Sequence, residues 1–108
     1  MNIKELSPDV SVSEQITIAD LPLIKATGFG AIICNRPDGE EFGQPTFAEI
    51  ADAAQEHGLE ARFIPIVPGA PMNYETVAFA QAMAEMTGPI LAYCRSGARS
   101  TMLWMASK

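Results

Sequence analysis

The stretch Tyr93-Cys94-Arg95-Ser96-Gly97-Ala98-Arg99-Ser100 constrains this chain more than any other. It joins a short apolar run, Pro89-Ile90-Leu91-Ala92-Tyr93, to a helix-like segment over 100–108. In a strand–loop–helix turn of this kind, successive backbone N–H groups point inward as a nest, and the helix N-terminus adds its positive end. Gly97 offers a position without a side chain where a tight loop needs φ > 0. A cysteine at the mouth of such a nest ionises readily, because helix N-termini and neighbouring arginines bring a thiol pKa from about 8.5 down to roughly 3.5–7.5. The competing reading is a small buried hydrophobe at a strand end. It leaves unexplained two arginines and two serines in the next six positions, polar groups that are costly to desolvate without an anion to bind. The segment reads as a thiolate nucleophile in an anion cradle.

At 108 residues the chain suits one domain with a single core. A net charge of −6 argues against nucleic acid and anionic membranes as partners. Basic charge is sparse, three lysines and four arginines, and Arg95 and Arg99 place two of those arginines in the cysteine loop. No run approaches the ~20 apolar residues of a membrane span, and Met1-Asn2-Ile3-Lys4-Glu5 lacks the apolar region of a signal peptide. Two cysteines could pair, but a core of this size does not depend on one disulfide, so a reduced, cytoplasmic protein is expected. No cofactor and no metal are expected.

The punctuation of the chain alternates strands and helices. Ile3-Lys4-Glu5-Leu6 and Val10-Ser11-Val12, separated by Ser7-Pro8-Asp9, predict a pair of short strands. Asp20 is placed to cap a helix over 20–26 that Gly28 stops, with Pro22 in its first turn. Residues 30–34 predict a strand, and the Pro- and Gly-rich residues 35–45 a loop. Thr46-Phe47-Ala48-Glu49 is a capping box for a helix ending at Gly58, with Phe47, Ile50, Ala51 and Ala54 at helical spacing. A strand over 61–67 follows, then a helix that Asn73 caps and that runs to Met86, with Phe79, Met83 and Met86 on its core face. Strands spaced by helices predict an α/β domain with a mainly parallel sheet, whose sites form at the carboxyl ends of strands. Cys94 lies at one such end and Asn35-Arg36 at another.

Two reaction classes use a thiolate in an anion cradle. Cysteine phosphatases attack phosphorus and bracket the nucleophile as Cys-x5-Arg, whereas sulfurtransferases carry sulfane sulfur as a persulfide in a loop often one residue shorter. Here the spacing is Cys-x4-Arg, a narrower cradle that suits sulfur better than a phosphoryl group. Phosphoester cleavage also gains about 10²–10⁴-fold from a general acid. No aspartate lies between Gly58 and Tyr93, which leaves Asp38 as the candidate. In the sulfur-transfer reading Cys94 is the nucleophile and persulfide carrier. The backbone of Arg95, Ser96, Gly97, Ala98 and Arg99 holds the anion, and Arg99 fixes the loop or pairs with the donor. Arg95 draws donors to the entrance, and Ser100 hydrogen-bonds the thiolate unless it is simply a first-turn helix serine. Arg36 and Asp38 are candidates for supporting or general-acid roles. His57 reads as a helix C-terminal group, Glu40-Glu41 as solvated loop charge, and Cys34 as a buried bystander rather than a resolving thiol.

The motif Ile33-Cys34-Asn35-Arg36-Pro37-Asp38-Gly39-Glu40-Glu41, then Gly43-Gln44-Pro45, then the Tyr93–Ser100 segment resembles the phosphatase-like sulfurtransferase domain family. Its members occur alone or fused ahead of a metallo-β-lactamase-like persulfide dioxygenase. The resemblance implies a dual-specificity-phosphatase-like α/β fold around a four- or five-stranded sheet. It also implies sulfur transfer through a Cys94 persulfide, in sulfide metabolism. The donor would be thiosulfate or glutathione persulfide, the acceptor a thiol or a persulfide dioxygenase, and the alternative substrate a phosphate ester. Tyr93 stands where ordinary tyrosine phosphatases place a histidine before the cysteine, a departure that weakens phosphatase chemistry.

Overall fold

The apolar runs assemble into one five-stranded sheet in the computed structural model, which describes residues 1–108. In chain order the elements are β1 (Lys4–Ser7), β2 (Val10–Ser13), a single 3₁₀ turn (Ile18–Asp20), α1 (Leu21–Thr27), β3 (Ala31–Cys34), α2 (Phe47–Glu56), β4 (Glu60–Phe63), α3 (Asn73–Glu85), β5 (Ile90–Tyr93) and α4 (Ala98–Ala106). The strand order is β1-β2-β5-β3-β4. Only β1 runs antiparallel to its neighbour, so the expected mainly parallel α/β sheet is what forms. No helix is long and apolar enough to cross a membrane.

β3 and β5 lie in the interior of the sheet and are buried at every residue, as strands of a parallel sheet covered on both faces must be. Their side chains alternate between two cores. Ala31, Ile33, Ile90 and Ala92 pack with Phe79 and Ala82 of α3 and Leu103 of α4. Ile32, Cys34, Leu91 and Tyr93 pack with Leu21 and Ile24 of α1 and Ile50, Ala53 and Ala54 of α2. Each fully buried large aliphatic contributes about 1.5–3 kcal/mol, so these two layers dominate the folding energy. The parallel register pairs Cys34 with Tyr93, which brings the carboxyl ends of β3 and β5 side by side.

Several boundaries differ from the expected ones, each for a local reason. Asp20 does not cap α1 with its side chain; its carboxylate turns back to accept from the Thr17 N–H and hydroxyl, closing the 3₁₀ turn. Gly28, at φ +113°, ends α1 one residue later than expected. β4 stops at Phe63 rather than at residue 67, because its regular register with β3 lapses beyond Ile64. The Ile64 N–H still meets the Cys34 carbonyl at 2.9 Å, but the Ile66 N–H meets the Asn35 carbonyl at 2.9 Å, one residue short of the Arg36 carbonyl that the register would offer. Asn73 is the first residue of α3 and not its cap; the Met72 carbonyl accepts from the Thr76 N–H instead. The Thr46–Glu49 capping box opens α2 as expected. α4 begins at Ala98, two residues before the expected start at Ser100, so the helix end abuts Cys94.

At the start of β3, Gly30 passes so close to Thr87 that an added Cβ would lie 2.6 Å from its carbonyl oxygen. Gly30→Ala is expected to cost about 1–3 kcal/mol, as overpacking against backbone does. A denaturant midpoint equal to wild type would show that the 87–90 segment yields freely.

Candidate active site

Cys94 follows directly on β5 and is 1% exposed, yet it belongs to neither apolar cluster. The loop after it curls because Gly97 adopts φ +96°, at a point where an added Cβ would lie 3.4 Å from the Ser13 carbonyl oxygen. The curl turns main-chain amides onto the sulfur, and the Gly97 N–H donates to Sγ at 3.0 Å. Burial alone would push the Cys94 thiol up. The amides of Ser100, Ser96, Gly97 and Arg99 outweigh it, and the net shift is downward. The nest expected from the sequence is therefore present, with the first turn of α4 supplying part of it.

Arg99 leans over this nest. Its Nη1 donates to Glu40 Oε2 at 2.8 Å and to the Ile66 carbonyl at 2.9 Å, and its Nη2 donates to Glu40 Oε1 at 2.8 Å. Glu40 raises the Arg99 pKa further, against the effect of burial, and the charge on Cys94 adds to the rise. Glu40 is thus no solvated loop charge, contrary to the sequence expectation. Its side chain is 21% exposed and forms a bidentate pair with Arg99, while Arg36 Nε donates to Oε1 at 2.9 Å. Arg99, and after it Arg36, hold the Glu40 carboxyl at about 2. Glu41 is likewise paired, accepting from Arg36 Nη2 at 3.2 Å.

The remaining predicted site residues divide between those the fold brings to the nest and those it leaves aside. Ser100 is a first-turn helix serine, the second of its two expected roles: its backbone N–H faces the sulfur, and its hydroxyl donates to Asn35 Oδ1 at 2.8 Å. Asn35 in turn donates to the Ile64 carbonyl at 2.9 Å, which locks the end of β3 to α4 and to the chain after β4. Arg95 and Ser96 are exposed at the rim, and the Ala98 N–H donates to Ser96 Oγ at 3.3 Å. Asp38 accepts from the Phe47 N–H at 2.9 Å and so serves as a cap on α2. Cys34 turns into the α1–α2 core, where its thiol donates to the Arg36 carbonyl at 3.3 Å and burial pushes its pKa up. Both cysteines are free. Tyr93 fills that same core with its hydroxyl unpartnered.

The sequence reading missed Glu40, Gln15 and the Ile66 carbonyl as groups around the cysteine loop. For Glu40 a signal existed: an acidic pair just beyond the carboxyl end of a strand adjacent to the cysteine strand faces the same crevice. The Glu40 pair also leaves a mark on folding. A carboxyl held at about 2 stabilises the fold fully above the ordinary range near 4.5, and that stabilisation is lost as pH falls toward 2. Glu40→Gln is therefore expected to flatten the acid limb of stability over that interval, read as thermal midpoints against pH. Parallel limbs for the two proteins would show that the pair contributes nothing to folding.

The family described as "Beta-lactamase hydrolase-like protein, phosphatase-like domain" matches residues 2–108. A beta-lactamase hydrolase-like protein of Agrobacterium fabrum is 37% identical over 105 residues, covering 97% of this chain and 24% of that protein. The chain spans about a quarter of the length of the curated relatives it matches. Among solved structures, a candidate phosphatase of Neisseria meningitidis superposes with a TM-score of 0.88 at 36% identity, over 96% of this chain and 74% of that one. The core catalytic domain of a PP-IP phosphatase from S. cerevisiae shares the fold, with a TM-score of 0.67 at 14% identity over 99% of this chain and 74% of that one. The fold is phosphatase-like, and a buried cysteine with a lowered pKa stands in its anion nest. The chain belongs to the family of phosphatase-like domains of beta-lactamase hydrolase-like proteins.

Proposed function

We propose that this domain is a sulfurtransferase that carries sulfane sulfur as a persulfide on Cys94. The observation that carries this reading is that the carboxyls of the loop after β3, Asp38, Glu40 and Glu41, are all engaged by other groups. Asp38 is engaged with the Phe47 N–H. Glu40 is held ionised at about 2 by Arg99 and Arg36, so it has no proton to give near neutral pH. Transfer from a donor whose leaving group is already a stable anion needs no such proton.

The steps follow from the nest. The Cys94 thiolate attacks the outer sulfur of thiosulfate; the new S–S bond forms as the old one breaks, and sulfite leaves with the electron pair. The amides that lower the thiol pKa are placed to hold the persulfide anion that results. Arg99 uses three of its five N–H groups on Glu40 and Ile66, and the others are available to the donor. Arg95, exposed at the rim, draws in anionic donors such as thiosulfate or glutathione persulfide. A thiol acceptor, free or on a persulfide dioxygenase, then attacks the outer sulfur and restores the Cys94 thiolate. A reducing compartment such as the cytoplasm belongs to this reading, since the nucleophile must stay a free thiol. The second reading is a cysteine phosphatase acting on a phosphate ester, which the 36% identity to a candidate phosphatase favours.

Incubation with thiosulfate is expected to add the mass of one sulfur atom to the reduced protein, and cyanide to remove it. Cys94→Ser is expected to gain nothing. Absence of an adduct with both thiosulfate and glutathione persulfide would overturn the reading. Asp38→Asn is expected to leave the sulfur-transfer rate unchanged. A drop of about 10²–10⁴-fold in phosphate-ester cleavage by the same variant would instead identify a phosphatase with Asp38 as its acid.

A further inference from the structure

One buried side chain ties together both ends of the Cys94 loop without a hydrogen bond to the sulfur. Arg36 lies just past the end of β3 and is 2% exposed. Its Nε donates to Glu40 Oε1 at 2.9 Å, its Nη2 to Glu41 Oε1 at 3.2 Å and its Nη1 to Gln15 Oε1 at 3.2 Å. Two of these acceptors lead on to the loop. The Gln15 backbone N–H donates to the carbonyl of Arg95, the first residue after Cys94, at 3.3 Å. Glu40 receives both Nη groups of Arg99, the residue that closes the Cys-x4-Arg spacing. The path Arg95–Gln15–Arg36–Glu40–Arg99 is therefore an unbroken brace from one end of the loop to the other.

Placing a guanidinium in the interior is expensive unless every direction of its fork is met, and here Glu40, Glu41 and Gln15 meet it. A lysine could keep the charge but could not span acceptors on three residues at once, because its ammonium lacks the planar fork. The thiolate needs the amides of Ser96, Gly97, Arg99 and Ser100 to converge, and those amides belong to the stretch whose ends this brace holds. We infer that Arg36 is a positioning residue for Cys94: by fastening Arg95 through Gln15 and Arg99 through Glu40, it holds the loop in the curl that aims its amides at the sulfur. The inference rests on Cys94 being the reacting group. The charged groups around that thiol are Arg99 over the nest and Arg95 at the rim, with Glu40, Glu41 and Arg36 behind Arg99.

The test compares Arg36→Gln, Arg36→Lys and Gln15→Ala in the full chain, with thermal unfolding alongside. The readouts are the pH midpoint of Cys94 alkylation by iodoacetamide, followed on the Cys94 peptide, and kcat and KM for persulfide formation from thiosulfate. In Arg36→Gln the midpoint is expected to rise by about one pH unit and kcat to fall about tenfold or more, with KM moving less. Arg36→Lys is expected to recover only part of both. An unchanged midpoint in folded Arg36→Gln, or full recovery in Arg36→Lys, overturns the inference. If Arg36→Gln does not fold, Gln15→Ala decides: it removes one tie from a half-buried side chain, and the midpoint must rise. Alkylation needs no sulfur donor, so a wild-type protein that alkylates at low pH yet forms no persulfide would overturn the sulfurtransferase reading alone.

Discussion

A sulfur atom withdrawn from water can carry a charge here only because backbone N–H groups take the place of the solvent, and the arrangement of the domain follows from that requirement. Burial works against the Cys94 thiolate, and amides of four residues reverse it. They can all reach one atom only if the strand ends at Tyr93, the chain reverses its curl at Gly97 and the helix begins at Ala98. Such a junction needs a strand in the middle of a parallel sheet, with helices packed on both faces to hold its end still. The two apolar layers around β3 and β5 are thus the support of the site as well as the source of stability.

The two cysteines show how local geometry, not residue type, assigns reactivity. Both stand at the carboxyl ends of neighbouring strands, separated by the width of one ladder. Cys34 turns into an apolar layer, where burial favours the protonated thiol. Cys94 turns into a ring of donors, which favours the anion. A single sheet edge thereby holds one thiol whose pKa is raised and one whose pKa is lowered.

The acidic residues after β3 give the site its chemical character. Glu40 neutralises Arg99 and Glu41 neutralises Arg36, so the region behind the cradle is close to balanced in charge, and Arg95 is left as the cation at the rim. A carboxylate committed to two arginines steadies the loop but cannot shuttle protons near neutrality.

How much of this was legible depended on sequence distance. The nest, its glycine and its cysteine lie within seven consecutive residues, Cys94 to Ser100, and their contacts are those of one turn. The capping box at Thr46 and Glu49 was legible for the same reason. The sequence left Ser100 open between the thiolate and a first-turn helix position, because its hydroxyl partner, Asn35, is 65 residues away. Glu40 was misread because its partner Arg99 is 59 residues away. Asp38 looked like a free acid until the helix that follows its loop folded back and offered it the Phe47 N–H. The sequence by itself determined that a cysteine would sit in a ring of amides at the end of a buried strand, since hydrophobic patterning and short-range backbone geometry suffice for that. Only the tertiary structure decided which side chains brace the ring and which groups the carboxyls after β3 pair with, because those contacts exist only once the parallel register sets the ends of β3 and β5 side by side.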